Sequence, residues 1–434
     1  LQSSARQHYS EVGRLVTVGV TGQLVIFALS VAMARNLSVA DFEAYVVAAA
    51  LFLLMVAIAA QGLDKYALRL LPGKFDRGDW QLAADYVVFA LRRVLVGALV
   101  VGLAGALWAR YVREFPPGTL YAVYLACAGV PLGVLVCFLG AVLSATGDCA
   151  RAAFLTLLLP PAVALLALGG AILLRLPLSG AVGIACWGVG WLVALLAVVA
   201  RVQRAWSGPR RALARGVPRP GWRAAAMPFW LYRLAMGAVA HMAVILLDWL
   251  QPSAAATGAY AAAMSMAGVA AVLAVATNRV YARELSVLME RGDYTGVDRY
   301  RRQRLLWLVP VLVVFLLGAF LFTDDLLRLF RPQFVEEGRA AFRVLALSTA
   351  ATVWLGVAPT YLKYQRHHRI TFAALTACAV IQLLLLVTLV PGLEASGAAI
   401  AYMVSMMGMY GFLALYALRQ LRARRHQEQP PQSG

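Results

Sequence analysis

Long apolar runs, broken at intervals by short polar segments, set the pattern of this chain. Each run reaches about eighteen residues or more, enough to cross a hydrocarbon core of about 30 Å as a helix. The first half gives predicted spans at Gly13–Ala34, Phe42–Ala60, Val87–Trp108, Thr119–Leu143, Phe154–Leu174 and Gly180–Val202. The second gives Pro228–Leu250, Gly258–Asn278, Leu305–Phe322, Phe342–Leu362, Ile370–Val390 and Gly397–Leu418. Ser38 and Asp41 form a capping box ahead of the second span. A β-barrel would show short alternating segments instead. The expected fold is therefore all-α: a polytopic membrane protein of twelve transmembrane helices.

The polar breaks repeat. Thr257-Gly258-Ala259-Tyr260 leads into an apolar run as Asp41-Phe42-Glu43-Ala44-Tyr45 does, and Arg291-Gly292-Asp293-Tyr294 echoes Arg77-Gly78-Asp79-Trp80. Tyr45 to Tyr260 is an offset of 215, Asp79 to Asp293 is 214, and Ser179-Gly180-Ala181 returns as Ser396-Gly397-Ala398 after 217. Self-similarity at one period implies two structural repeats. Six spans in each make them parallel, a transporter plan with the pathway expected in a central cleft between them. The expected organisation is a six-helix lobe over residues 1–205, a cytoplasmic linker over 206–227, a second six-helix lobe over 228–418 and a basic, disordered tail over 419–434. The linker is arginine-rich and holds Pro209, Pro218 and Pro220.

Composition agrees. Of 434 residues 62% are hydrophobic and 14% charged, too few charges to cover a water-soluble surface of this size. The net charge of +19 does not imply nucleic acid, because Lys and Arg cluster in alternate loops. Thirty fall on the side that includes both termini and eight on the other, with Arg233 inside a span. That bias places both termini in the cytoplasm. Gly13 to Ala34 is too long for the h-region of a signal peptide. The five cysteines form no CxxC pair, so no metal site, disulfide framework or cofactor is expected.

Ionisable groups inside a span face the bundle interior or a wet cavity more often than lipid. The seventh span carries Arg233, His241 and Asp248. At about 100° per residue, His241 lies about 80° and Asp248 about 60° from Arg233, with Gly237 and Trp230 on the same side. The stripe is about 22 Å long. It is a candidate polar face of the cavity; the plainer alternative is that the two ends snorkel and His241 is bonded in the core. At the cytoplasmic mouth, Asp64 and Arg279 fall at equivalent positions of the repeat and form a candidate gate, against two separately solvated helix ends. Lys65, Arg69, Arg92 and Arg93 lie at the same end; positive-inside topology accounts for most, and Arg69 is the one preferred for a substrate role. Arginine suits a pyrophosphate because its planar fork donates in pairs. There is no GxxxxGK[ST] loop and no catalytic constellation, so an enzyme is not expected.

Several strings resemble Wzx-type polysaccharide flippases, a polysaccharide-transport branch of the MOP exporter superfamily. They are Arg-x-Leu-Ser-x-x-Asp-Phe-x-x-Tyr at Arg35–Tyr45, Gln61-Gly62-Leu63-Asp64 with Arg69, Thr257-Gly258-Ala259-Tyr260-Ala261, Leu329-Phe330-Arg331-Pro332-Gln333-Phe334 and Ser396-Gly397-Ala398-Ala399. Glu43 stands where that family commonly has Gly, and Tyr281-Ala282-Arg283 where it often has Pro. The resemblance implies an alternating-access exporter of an undecaprenyl-pyrophosphate-linked oligosaccharide to the periplasmic leaflet. Its partners would be that glycan, the bilayer and a polysaccharide polymerase or co-polymerase. The rivals are a MATE-like cation-coupled multidrug exporter, a peptidoglycan-precursor flippase, which typically has two further spans, and a membrane glycosyltransferase or acyltransferase. Cation exchange needs intramembrane carboxylates, and Asp248 is the only acid well within a predicted span.

Overall fold

A computed structural model describes residues 2–206, 221–251, 253–290, 292–364 and 367–428. Among them the chain is helical, without a strand. The elements are α1 (Gln2–Asn36), α2 (Val39–Ala59), α3 (Leu63–Asp76), α4 (Trp80–Tyr111), α5 (Pro117–Ala145) and α6 (Cys149–Ala153), which a π-helical turn, Phe154–Leu158, joins to α7 (Leu159–Leu173). Then follow α8 (Gly180–Ala205), α9 (Trp222–Leu250), α10 (Ala254–Glu290), α11 (Tyr294–Leu321), α12 (Thr323–Phe330), α13 (Phe334–Leu355), α14 (Val357–Tyr364) and α15 (His368–Glu428).

Eleven stretches among the described residues are long and apolar enough to cross a membrane. One of them, Arg369–Ala423, has 55 residues. A straight helix of that length would be about 80 Å long, far more than one crossing needs. It breaks at Glu394, whose φ of 47° and ψ of −129° are not helical. Cys378 and Ser405, on either side of the break, hydrogen-bond to one another, so the two arms lie together. The stretch is two crossings, and the total is the expected twelve.

The chain forms two compact units, Leu1–Gly258 and Ala259–Gly434. In the first, α5 lies at the centre against α2, α4 and α8, and α9 packs on α2 and α3. In the second, α13 packs on α11, α12 and α15, and α14 lies on α15. The seventh span, which the sequence assigns to the lobe over 228–418, thus has its packing partners in the first unit. Residues 207–220 of the expected linker and 429–434 of the expected tail lie outside the described residues.

The repeat is legible in the backbone of each unit taken by itself. Gly78 and Gly292 have φ of 72° and 73°, which glycine adopts without strain. Each is followed by an aspartate at the N-cap position of the next helix, Asp79 for α4 and Asp293 for α11, and of the two only the Asp293 side chain accepts a bond from the helix, from the Gly296 N–H. The turn's hydrogen bonds match: the Asp79 N–H donates to the Lys74 carbonyl at 2.9 Å and the Asp293 N–H to the Leu288 carbonyl at 3.0 Å. Helix starts match too. Ser38 Oγ accepts from the Asp41 N–H at 3.0 Å, and Ser253 Oγ from the Ala256 N–H at 3.2 Å.

The spans run further than their apolar cores: α4 begins at Trp80 and α11 at Tyr294, because the basic segment before each apolar run continues the helix. The last predicted span before the α15 hairpin, Phe342–Leu362, is instead cut at Gly356 into α13 and α14. α3 falls between the predicted spans, and its Leu63, Ala67 and Leu71 recur every fourth residue and are all buried.

Helices approach closely where glycine allows it. A Cβ on Gly190 of α8 would fall on the Pro160 carbonyl of α7, whereas one on Gly188 would meet open space. Gly190→Ala is therefore expected to destabilise the protein by about 1–3 kcal/mol and Gly188→Ala to leave it unchanged. Thermal unfolding of the two variants in detergent checks this; equal melting temperatures would contradict the close contact.

Candidate functional site

The stripe on α9 is held at both ends by the rest of its own unit. Near the start, Arg233 makes an ion pair with Asp64, the second residue of α3, and its guanidinium also bonds the Cys137 thiol on α5. Asp64 is buried, and its Oδ1 has no hydrogen-bond partner among the described residues. Near the end, Arg113 Nη2 reaches Asp248 twice, donating to its backbone carbonyl at 2.9 Å and to Oδ2 at 3.3 Å. Between them, a Cβ on Gly237 would lie 3.3 Å from Ala57 Cβ of α2. The common face of Arg233, Gly237 and Asp248 is the face by which α9 packs on α2 and α3.

The break after α2 builds the lower end. Gln61 and Gly62 both have positive φ, 49° and 69°. A Cβ on Gly62 would lie 2.5 Å from the Ala226 carbonyl oxygen and from the Trp230 nitrogen of α9, so glycine is required there for contact as well as for conformation. The turn frees carbonyls at the end of α2. Trp230 Nε1 donates to one of them, on Ile58, at 2.9 Å. The Tyr86 hydroxyl of α4 donates to the Leu63 carbonyl at 2.6 Å. Arg93 Nε donates to Gln61 Oε1 at 3.2 Å. The Gln61-Gly62-Leu63-Asp64 string is thus a junction of α2, α3, α4 and α9.

At the Asp248 end Glu43 lies near the Arg113–Asp248 pair. It is the fifth residue of α2 and lies close to both residues and to Thr257. A second carboxyl group therefore lies near the pair, although only Asp248 is within ion-pair distance of Arg113. The Arg113 guanidinium also sits 5.0 Å from the centroid of the Phe115 ring. Sequence reasoning missed Glu43 and Arg113. Glu43 was visible only as a departure from the resembled family, and Arg113 as one of the eight outer basic residues.

The remaining candidates divide. His241 is half-buried and makes no hydrogen bond or ion pair among the described residues. Arg69 is exposed on α3, and Lys65 one turn before it is exposed as well. The side chain of Arg279 lies outside the described residues, so of the expected gate only Asp64 is placed, and it is engaged by Arg233. No group of three or more potential metal ligands occurs among the described residues.

The sequence matches no protein-family model and no curated protein. Solved structures do match. An inward-facing multidrug resistance MATE family transporter of the MOP superfamily aligns with a TM-score of 0.72 at 14% identity, over 92% of this chain and 95% of that one. An outward-facing MATE structure of the same superfamily aligns at 0.65 and 13% identity, over 96% of each chain. A MOP superfamily transporter from Pyrococcus furiosus, described as having a binding pocket of reverse polarity that suggests a different function, aligns at 0.66 and 13% identity, over 96% of each chain. The chain has the MATE-like fold, with its two repeats of membrane helices.

Breaking a buried ion pair from one side strands the other charge, at a cost of about 3–5 kcal/mol, whereas an apolar pair of similar volume is often neutral. Arg233→Met alone is expected to cause a loss of that size, and Arg233→Met with Asp64→Leu to recover most of it. Urea or thermal unfolding of the purified protein gives the comparison. Additive losses in the double variant would mean the two residues do not act as a pair.

Proposed function

We propose that this multi-pass membrane protein is a transporter that exports an anionic, lipid-linked oligosaccharide by alternating access. The cargo would be carried on undecaprenyl pyrophosphate, from the cytoplasmic to the periplasmic leaflet of a bacterial inner membrane. One observation carries the reading: the charge along α9 is graded. At the Arg233 end the buried Asp64 is matched by Arg233, and the exposed Lys65 and Arg69 add positive charge to a region that also holds the buried Asp85. At the Asp248 end a second acid, Glu43, lies near the Arg113–Asp248 pair. The excess of Lys and Arg in the loops assigns the first end to the cytoplasm.

An anionic head group is attracted at the cationic end and repelled at the acidic one. A pyrophosphate reaching Arg233 competes with Asp64 for the guanidinium, with Arg69 as a second donor and Trp230 and His241 beside it. The polyprenyl tail stays in lipid, so the unfavourable transfer of charge is confined to the head. With the cytoplasm negative, outward movement of two charges gains about 4–5 kcal/mol per 100 mV, which suffices to drive export without a second ion.

The second reading is cation-coupled drug export. It is favoured by Glu43, which places a second carboxyl group beside the Arg113–Asp248 pair. The structural likeness to MATE transporters is compatible with either cargo, and the first apolar stretch, Gly13–Asn36, contains no acid.

Two assays separate the readings. In cells lacking the protein, lipid-linked oligosaccharide should accumulate in the inner leaflet and surface polysaccharide should fall. In proteoliposomes, flipping of that lipid should require an imposed potential, and Arg69→Ala should slow it by about fivefold to a hundredfold, as for one charge-assisted contact. Normal surface polysaccharide with new drug sensitivity, and drug efflux abolished by Glu43→Gln, would replace the first reading with the second.

A further inference from the structure

The second unit contains a cavity of about 340 Å³ that the transport reading does not use. Its size falls within the range of small-molecule sites, about 300–1,000 Å³. Leu305 of α11, Trp354 of α13, Tyr361 of α14 and Gly411, Leu415 and Leu418 of α15 contribute to its wall. Trp354 and Leu415 are exposed, so the cavity opens at the surface of the unit. Water in such a site finds too few polar partners to be held.

Charge gathers at one end. Arg301 of α11 lies on the cavity wall. It pairs with Asp298 at 2.7 Å, and the exposed Arg302 pairs with the same carboxylate at 3.1 Å, so the trio keeps a net positive charge. Arg419 and Arg422, also exposed, flank Leu418 and Leu421 of the lining. Arg304, one turn after Arg301, is fully buried and donates to the Val353 and Trp354 carbonyls at 3.3 and 3.4 Å, which ties α11 to the end of α13 that forms the wall.

We infer that this cavity binds one acyl chain of an anionic phospholipid of the cytoplasmic leaflet, with the phosphate at Arg301 and Arg302. The apolar wall selects the chain, and the arginines select the charge of the head group. The bilayer's own lipid is the chain-bearing ligand most abundant at that opening. The inference needs only the membrane fold, and it stands or falls separately from the nature of the cargo.

Gly411 supplies the test. A Cβ there would meet nothing within 4 Å, so a larger side chain grows into the cavity without displacing backbone. Gly408, exposed on the same helix with equally free space, lies outside the lining and is the control. The full chain is reconstituted in nanodiscs of phosphatidylethanolamine with a minor phosphatidylglycerol fraction, and bound lipid is read by native mass spectrometry after delipidation. The wild type and Gly408→Leu should retain phosphatidylglycerol, and Gly411→Leu should retain about tenfold less. Arg301→Gln with Arg302→Gln should abolish the preference for phosphatidylglycerol over phosphatidylethanolamine. A phosphatidylglycerol with a diazirine in its acyl chain should label α15 near Leu415 in the wild type, a readout that does not depend on any variant folding. Equal retention by Gly411→Leu, labelling confined to other helices, or displacement of the label by undecaprenyl phosphate would overturn the inference.

Discussion

A charge placed in a membrane span must find an opposite charge or water, and α9 satisfies this at both ends within one unit. Arg233 meets Asp64, and Asp248 meets Arg113. Ion pairs of this kind add little net stability over apolar packing, but a misaligned helix leaves two charges unpartnered at once. Their effect is positional. The two pairs are separated by about 22 Å along the helix axis, so together they fix both the depth and the rotation of α9 on α2 and α3. Gly62 lets the backbones meet, and Trp230 occupies the carbonyl that the break in α2 exposes. The grouping of the seventh span with the first six follows from these contacts.

The repeat gives the same local solution twice without giving the same chemistry twice. Gly78 and Gly292 turn the chain at nearly equal φ, and Ser38 and Ser253 start helices at equivalent positions. These are backbone problems, and each has few solutions: a left-handed residue takes glycine, and an uncapped helix start takes serine or aspartate. Side chains at the functional ends obey no such restriction. α3 begins with Leu63-Asp64, and Asp64 is committed to Arg233 of the same unit.

That distinction explains what was legible in the sequence. Apolar length alone locates the crossings, and the arms either side of Glu394 are correctly separated although a single non-helical residue divides them. The capping box at Ser38 and Asp41 is also readable, because its partners are three residues apart. The alignment of Arg233, Gly237 and Asp248 on one side of α9 follows from helical periodicity. What that side faces does not, because periodicity fixes angles within a helix and says nothing of its neighbours. Asp64 lies 169 residues from Arg233, and Arg113 lies 135 from Asp248. Glu43 escaped notice for the same reason: only the fold brings it to a second carboxylate.

Charge on a transport path has two separate duties, to make the path tolerable and to give it direction. A neutral pair such as Arg233–Asp64 does the first, since it places a guanidinium at membrane depth without a net charge to bury. It also leaves that guanidinium exchangeable, because a phosphate presents the same acceptor geometry as the carboxylate it would replace. Direction needs asymmetry between the ends. Lys65 and Arg69 supply it at one end, and Glu43 beside the Arg113–Asp248 pair supplies the opposite sign at the other. For an anionic head these charges favour capture at the first end and disfavour retention at the second, and the membrane potential supplies the outward pull between them. For a cationic drug the protein's charges favour the second end while the potential opposes export, and the Glu43–Asp248 carboxylates would then have to carry a counter-ion inward to reverse the balance. The same cluster is a release element under one cargo and a coupling element under the other, so the sign of the cargo decides what Glu43 is for.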